Sequence, residues 1–214
     1  TPLLNDVAAR QGSPKDIFVR VNKALRKENE DKIKAITEKS TPKMLWSGAF
    51  TQLSNSKVEA NFADARTYIY KDEAIDTAYH LGYDLSVTKH SPAEAANSGA
   101  VAFTGDLGIY GNTVIIDHGV GLFTLYSHLS SIDIKVGDPI KQQQVIGKTG
   151  ETGLAAGDHL HFGVYLHGLA ILPVEWWDQK WITDNVEPKL LGKSSESVQE
   201  ERKSVRKAAR KRKS

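Results

Sequence analysis

Between residues 45 and 182 the chain is a succession of short alternating runs cut by glycines, and that pattern limits its fold more than any other feature. The runs are Thr67–Tyr70, Asp84–Val87, Gly99–Phe103, Thr113–Asp117, Leu122–Tyr126, Gln144–Gly147 and His159–Leu166. Apolar residues at every second position suit a strand with one buried face. Gly108, Gly111, Gly119, Gly121, Gly137, Gly147, Gly150, Gly153 and Gly157 stand at the corners, where turns need their freedom. Many short strands at close spacing predict a mainly β, compact antiparallel sheet or sandwich. No strand–helix–strand alternation appears, which excludes doubly wound and barrel α/β folds.

The flanks differ from this body. Ser13-Pro14-Lys15-Asp16 is a helix start, with a capping serine, a proline at the first helical position and an early acid. Ile17, Val21, Ala24 and Leu25 follow at helical spacing, and Thr41-Pro42 ends the segment. The other end is basic: residues 193–214 hold nine Lys/Arg against three Glu, a balance of +6. The whole chain is +2, so residues 1–192 carry −4. The expected organisation is a helical lead over 1–44, a β-rich body over 45–185 and a basic tail over 186–214. The tail reads first as a solvated helix or mobile arm. Its second reading is a contact with an anionic envelope partner. Nucleic acid is not expected.

No run of about 18 apolar residues exists, so no transmembrane segment is expected. The chain begins at Thr1 without a signal-peptide pattern, as a mature form or a fragment would. Cysteine is absent, so any metal must be held by histidine and carboxylate.

Two evenly spaced motifs supply such groups. His80 and Asp84 lie in His80-Leu81-Gly82-Tyr83-Asp84, and His159 and His161 in His159-Leu160-His161-Phe162. In a strand, even spacing puts side chains on one face. Helical spacing would also join His80 to Asp84, but Gly82 disfavours a helix. Gly82 shares their strand face, so its missing side chain leaves room for a metal and its water. Imidazoles with a carboxylate suit zinc, and three protein ligands form an open, catalytic arrangement. His128, in Tyr126-Ser127-His128-Leu129, leaves a base beside the metal. Together these residues point to a zinc hydrolase. Tyr126 shares the expected strand face of His128 and is the candidate groove-lining, substrate-binding residue.

Other chemistries lack their residues. Gly105-x-x-Gly108-x-x-Gly111 has neither the spacing nor the following helix of a dinucleotide loop. Gly147-Lys148-Thr149 has Gln142 where a phosphate loop needs glycine. There is no Gly-x-Ser-x-Gly elbow and no His-Glu-x-x-His helix.

The order of motifs carries more than any one of them. His80-x-Gly-x-Asp84 precedes Tyr110-Gly111-Asn112-x-Val114-x-Ile116 and Asp117-His118-Gly119. Thr124-Leu125-Tyr126-Ser127-His128-Leu129-Ser130 follows, then Gly137-Asp138 and Val145-Ile146-Gly147. Thr149-Gly150-x-Thr152-Gly153 and His159-Leu160-His161-Phe162 close the set. Over residues 58–175 this resembles the lysostaphin-type (LytM-like) zinc metallopeptidases that cut peptidoglycan cross-bridges. Phe62-x-x-x-Arg66 is similar to a Phe-Gly-x-Arg stretch of Gram-negative members, with Ala63 in place of the glycine and one residue more. Asp158 stands where the family often has proline, and its charge is expected to raise the pKa of His159.

The resemblance implies one Zn2+ per chain on His80, Asp84 and His161, with His128 and His159 as non-ligand catalytic histidines. His118 would have no catalytic role, and His90 and His167 would be surface residues. It implies a peptidoglycan endopeptidase of the bacterial envelope, expected in the periplasm and D,D-specific, acting on stem peptides. The other class it admits is a non-catalytic relative that binds the wall or activates an amidase. Such regulators typically lack zinc ligands, whereas every ligand and both catalytic histidines are present here.

Overall fold

A computed structural model of the chain describes Leu3, residues 12–192 and, beyond them, residues 196, 197, 200, 203 and 204. Most of the basic tail therefore lies outside the described residues. The chain forms two compact units: residues 1–47 with 51–173, and residues 48–50 with 174–214.

The first unit is built on an eight-stranded antiparallel sheet. Its strands are β1 (Lys57–Ala60), β4 (Tyr83–Ser86), β6 (Gly99–Asp106), β7 (Asn112–Gly119), β8 (Leu122–Leu129), β10 (Pro139–Ile140), β12 (Leu160–Leu166) and β13 (Leu169–Ile171). The order is β1-β4-β12-β8-β7-β6-β10, with β13 also on β12. A three-stranded sheet joins β5 (Pro92–Glu94), β11 (Val145–Lys148) and β9 (Ser131–Ile132). A separate hairpin pairs β2 (Ala65–Tyr70) with β3 (Glu73–Tyr79). The mainly β expectation holds.

The central strands depart from simple alternation. Every residue of β8 is buried, and all but the first of β7, so both faces of the sheet are covered there. One cover is the helical lead. It comprises α1 (Pro14–Arg20), a π-helical turn (Val21–Leu25) and α2 (Arg26–Thr37). Ser13 caps α1 in a reciprocal box with Asp16, as the sequence indicates. Val21 and Ile33 from the lead join Ile115, Phe123, Leu125 and Tyr165 from the sheet in one core cluster. Asn29, buried in this apolar setting, accepts the Ile109 backbone N–H at 2.8 Å. Gly108, at φ +57°, leaves the space that Asn29 fills: a Cβ there would stand 2.4 Å from Asn29 Oδ1.

Strand pairing then locates the site. Tyr165 pairs with Phe123, Gly163 with Leu125 and His161 with Ser127. With period two, His161 emerges on the same face of β12 as Tyr165, the face that the lead covers.

The second unit was not legible as helix. It holds α3 (Val174–Trp177), α4 (Gln179–Asn185) and α5 (Glu187–Leu191). Asp178 caps α4 by accepting from the backbone of Lys180 and Trp181. Trp176 is buried, with its ring edge-on to Phe50 at 5.6 Å and to Trp181 at 5.8 Å.

Candidate metal centre

Three elements bring three donor atoms together. His80 follows the last residue of β3, and its backbone is tied by Ala63 N–H to His80 O at 2.7 Å and by His80 N–H to Asp64 O at 3.0 Å. Its Nδ1 lies 2.8 Å from the Asn61 carbonyl, which can only accept, so Nδ1 carries the proton and Nε2 a lone pair. Asp84 on β4 is the cross-strand partner of His161 on β12. His80 Nε2 lies 2.9 Å from Asp84 Oδ1 and 3.0 Å from His161 Nδ1, and that nitrogen is 3.0 Å from the same Oδ1. Three acceptor-type atoms converge at a buried point. Shared protons or a cation must hold them there.

The continuous strand expected from His80 to Asp84 does not form. The chain leaves β3 at Tyr79, bends at Gly82 and enters β4 at Tyr83. Gly82 also has another task than giving room to a metal and its water. A Cβ there would lie 2.5 Å from the Phe162 carbonyl and 2.8 Å from Cε1 and Nε2 of His161. The vacancy admits the His161 ring itself, whose Nε2 is buried with no hydrogen-bond partner among the described residues.

Asp84 has a cationic neighbour as well. Arg66 on β2 donates from Nη2 to Asp84 Oδ2 at 2.8 Å. Burial alone would raise the Asp84 pKa. Its interactions with His159, His161 and His80 outweigh it and hold the carboxyl well below its usual range. Burial pushes His161 down to about 4.

His128 and His159 flank this trio. Their rings are 4.7 Å apart, and His128 is 5.9 Å from the His161 ring. Each has Nδ1 on a backbone carbonyl at 2.8 Å, His128 on Thr152 and His159 on Gly157, which leaves both Nε2 atoms as lone pairs in the neutral rings. His159 Nε2 is 3.5 Å from Asp84 Oδ1. Burial, then repulsion from His159 and His161, lowers the His128 pKa to about 3. His159 is also pushed down by burial, but Asp84 outweighs this and raises it. Asp158 is not the cause of the rise. Its carboxylate turns away, accepting the His90 backbone N–H at 3.1 Å.

Tyr126 is not on the groove. It is 1% exposed, and its hydroxyl accepts from Ala96 N–H at 2.7 Å and from Thr124 Oγ1 at 2.9 Å. The expected shared face with His128 fails because His128 sits at φ +62°. There β8 uses three steps, Tyr126 to Leu129, against two steps on β7, Val114 to Asn112. This bulge turns His128 towards the trio while Tyr126 stays in the core. His118 is a buried structural histidine, 2.7 Å from both Ser98 O and Thr124 Oγ1. His90 and His167 are exposed.

The five residues open into a cleft of about 350 Å³. Its other walls include Phe18 and Arg26 from the lead, Arg66 and Tyr68 from β2, and Tyr110. Of these, Arg66 had a sequence signal through the Phe62/Arg66 spacing, and Tyr110 opens one of the motifs that carry the resemblance. Phe18, Arg26 and Tyr68 belong to no motif for metal chemistry.

A β-rich domain thus presents a His–Asp–His set that could hold a metal ion, beside two further histidines. Residues 78–173 match the model of Peptidase family M23. A DD-carboxypeptidase/endopeptidase, Mpg, of Neisseria meningitidis is 38% identical over 95 residues, 44% of this chain and 22% of that protein. Stage II sporulation protein Q of Bacillus subtilis is 29% identical over 152 residues, 70% of this chain and 51% of that protein. The catalytic domain of the antimicrobial peptidase lysostaphin from Staphylococcus simulans superposes with a TM-score of 0.53 and 27% identity. That match covers 61% of this chain and 98% of the lysostaphin domain. The chain thus spans about a fifth to a half of the curated relatives named here.

Proposed function

We propose that this chain is a zinc-dependent endopeptidase that hydrolyses peptide cross-links of bacterial peptidoglycan, as a D,D-endopeptidase of the periplasmic envelope. The observation that carries the reading is the convergence of His128 and His159 on the same cleft as the His80–Asp84–His161 trio. Either group alone would suit a structural role. Together they provide what amide hydrolysis needs.

Zinc held by His80 Nε2, Asp84 Oδ1 and His161 Nδ1 would supply a Lewis acid that polarises the scissile carbonyl and lowers the pKa of the attacking water. The donor set fits that ion: two imidazole nitrogens and one carboxylate oxygen, with the three ligand atoms all within 4.8 Å of one another. The chain's own groups handle the protons. The His128 Nδ1 proton is committed to Thr152, so its Nε2 lone pair accepts a proton from water. His159 beside it, with Nδ1 on the Gly157 carbonyl and Nε2 turned to the cleft, passes a proton to the leaving amine. Such transfers contribute about 10²–10⁴-fold in rate.

The second reading is a non-catalytic module that binds the wall or activates an amidase, and the similarity to a sporulation protein keeps it in view. One experiment separates the two. Zinc-loaded protein is incubated with purified sacculi of directly cross-linked and glycine-bridged walls, and released peptides are identified by mass spectrometry. Hydrolysis of D-Ala–diaminopimelate cross-links, abolished by chelation, is expected. Full zinc loading with no released peptide would establish the non-catalytic reading.

A further inference from the structure

The helical lead puts two side chains into the cleft from outside the M23 segment, Phe18 and Arg26. Phe18 packs against Tyr68 of β2, with ring centroids 4.8 Å apart and the rings tilted by 57°, and so joins the lead to the hairpin wall. Arg26 is held more specifically. Its Nε and Nη2 both donate to Asn22 Oδ1, at 3.2 and 2.8 Å. Asn22 is 2% exposed and donates from Nδ2 to Asp76 Oδ2 on β3 at 2.8 Å. The charge of Asp76 is met in turn by Lys23, 3.5 Å from Oδ1. A relay from hairpin to lead thus fixes one guanidinium in the cleft.

An amide oxygen orients that guanidinium without cancelling its charge. Among the described residues no carboxylate forms an ion pair with Arg26, whereas Arg66, the other guanidinium of the cleft, is committed to Asp84. Glu30, one turn on, interacts with Arg26 only at longer range, and burial raises its own pKa. Arg26 is half-buried. The Asn22 contacts take its Nε–H and one Nη2–H, leaving three N–H donors. A fixed, half-buried guanidinium with paired donors free is built for a carboxylate.

We propose that Arg26 is a specificity-determining residue that binds a free carboxylate of the acidic peptide lying in the cleft. This rests on the peptidase reading of the same site. Stem peptides are rich in carboxylates, and the lead adds a reader for one of them beside the segment that matches family M23.

The test uses the zinc-loaded full chain and two cross-linked peptides that differ only in one carboxylate, free or amidated. The wild type should prefer the free acid. Arg26→Ala should raise KM for the free acid about 10–100-fold, the loss of one charge-assisted contact, with kcat nearly unchanged. The amidated peptide should be cleaved alike by both proteins, and Arg26→Lys should recover part of the preference. Zinc content and Tm are followed in parallel, and Arg26→Gln replaces the alanine variant if that one fails to fold. Equal losses on both peptides, or no preference in the wild type, would overturn the proposal. If the wild type cleaves neither peptide, the peptidase reading fails first. Equilibrium binding of the same two peptides then decides on Arg26. A preference lost in Arg26→Ala upholds it, and equal or absent binding overturns it.

Discussion

Arg66 and Asp84 meet at 2.8 Å, Nη2 on Oδ2, and that contact leaves Oδ1 as the oxygen facing His80 and His161. A carboxylate free to rotate could offer either oxygen, or both. Fixing one by a charged donor orients the other.

Arg66→Ala should therefore weaken metal binding without removing a ligand. Loss of an outer partner of this kind costs about 10–100-fold in affinity or activity. Competition with a chromophoric chelator measures it. An unchanged zinc affinity in Arg66→Ala would show that the Asp84 carboxylate is held by its backbone and the histidines alone.

Gly82→Ala should act on the site through a neighbour. The new Cβ would meet a backbone carbonyl, which cannot move aside as a flexible side chain can, and also the His161 ring. Overpacking of this kind costs about 1–3 kcal/mol. We expect a lower Tm and substoichiometric zinc together. Gly157→Ala is the matched control, because a Cβ there has no atom within 4 Å. If both variants bind zinc fully, Gly82 has no part in seating His161.

The site was legible where chemistry forces residue types into motifs, and illegible where geometry alone recruits a residue. His80, Asp84, His128, His159 and His161 announce themselves because few side chains bind metal or move protons at neutral pH. Phe18 and Arg26 do not, since nothing in α1 or α2 says which sheet face they will cover. Tyr126 was misplaced because the bulge at His128 breaks period two, and a one-residue slip turns side chains to the other face. Strand β3 escaped notice because it lies in a hairpin outside the main sheet, with no buried residue to give Glu73–Tyr79 a clear apolar rhythm.

The roles of the histidines separate by zinc content. His161→Ala should lose zinc and activity together. His128→Ala and His159→Ala should keep zinc yet lose about 10²–10⁴-fold in turnover. Elemental analysis and a cross-linked peptide assay read both. Full occupancy in His161→Ala would remove it from the ligand set, and near-normal turnover in His128→Ala or His159→Ala would remove that residue from proton transfer.

Asn29→Ala tests how the lead is seated. The variant strands the buried Ile109 N–H, whose acceptor is Asn29 Oδ1. An unsatisfied buried donor costs about 1–3 kcal/mol. For a chain of this size each kcal/mol is worth roughly 2–4 °C in Tm. A Tm within 1 °C of the wild type, a threshold set at roughly the error of the scan, would mean that water or another acceptor replaces the amide.

Acid should unfold the metal-free protein well before carboxylates titrate, and His118 should be one cause. Burial lowers its pKa to about 4, against about 6.5 for a free imidazole. Above pH ~6.5 it is neutral in both folded and unfolded chains, and its contribution is complete. As pH falls from ~6.5 to ~4 the unfolded chain takes a proton that the folded chain refuses, so stability is lost. A gap of roughly 2.5 units corresponds to about 3 kcal/mol at most. His128 and His161, also lowered by burial, act in the same direction in the chelated protein. His159 opposes them, because Asp84 makes the folded state the better proton acceptor there. Urea unfolding of chelated protein at several pH values between about 4 and 8 measures the slope, up to one proton per lowered histidine. His118→Gln removes one such group outside the metal site, so its slope should be shallower. An identical slope in that variant would place the acid sensitivity in the cleft histidines alone.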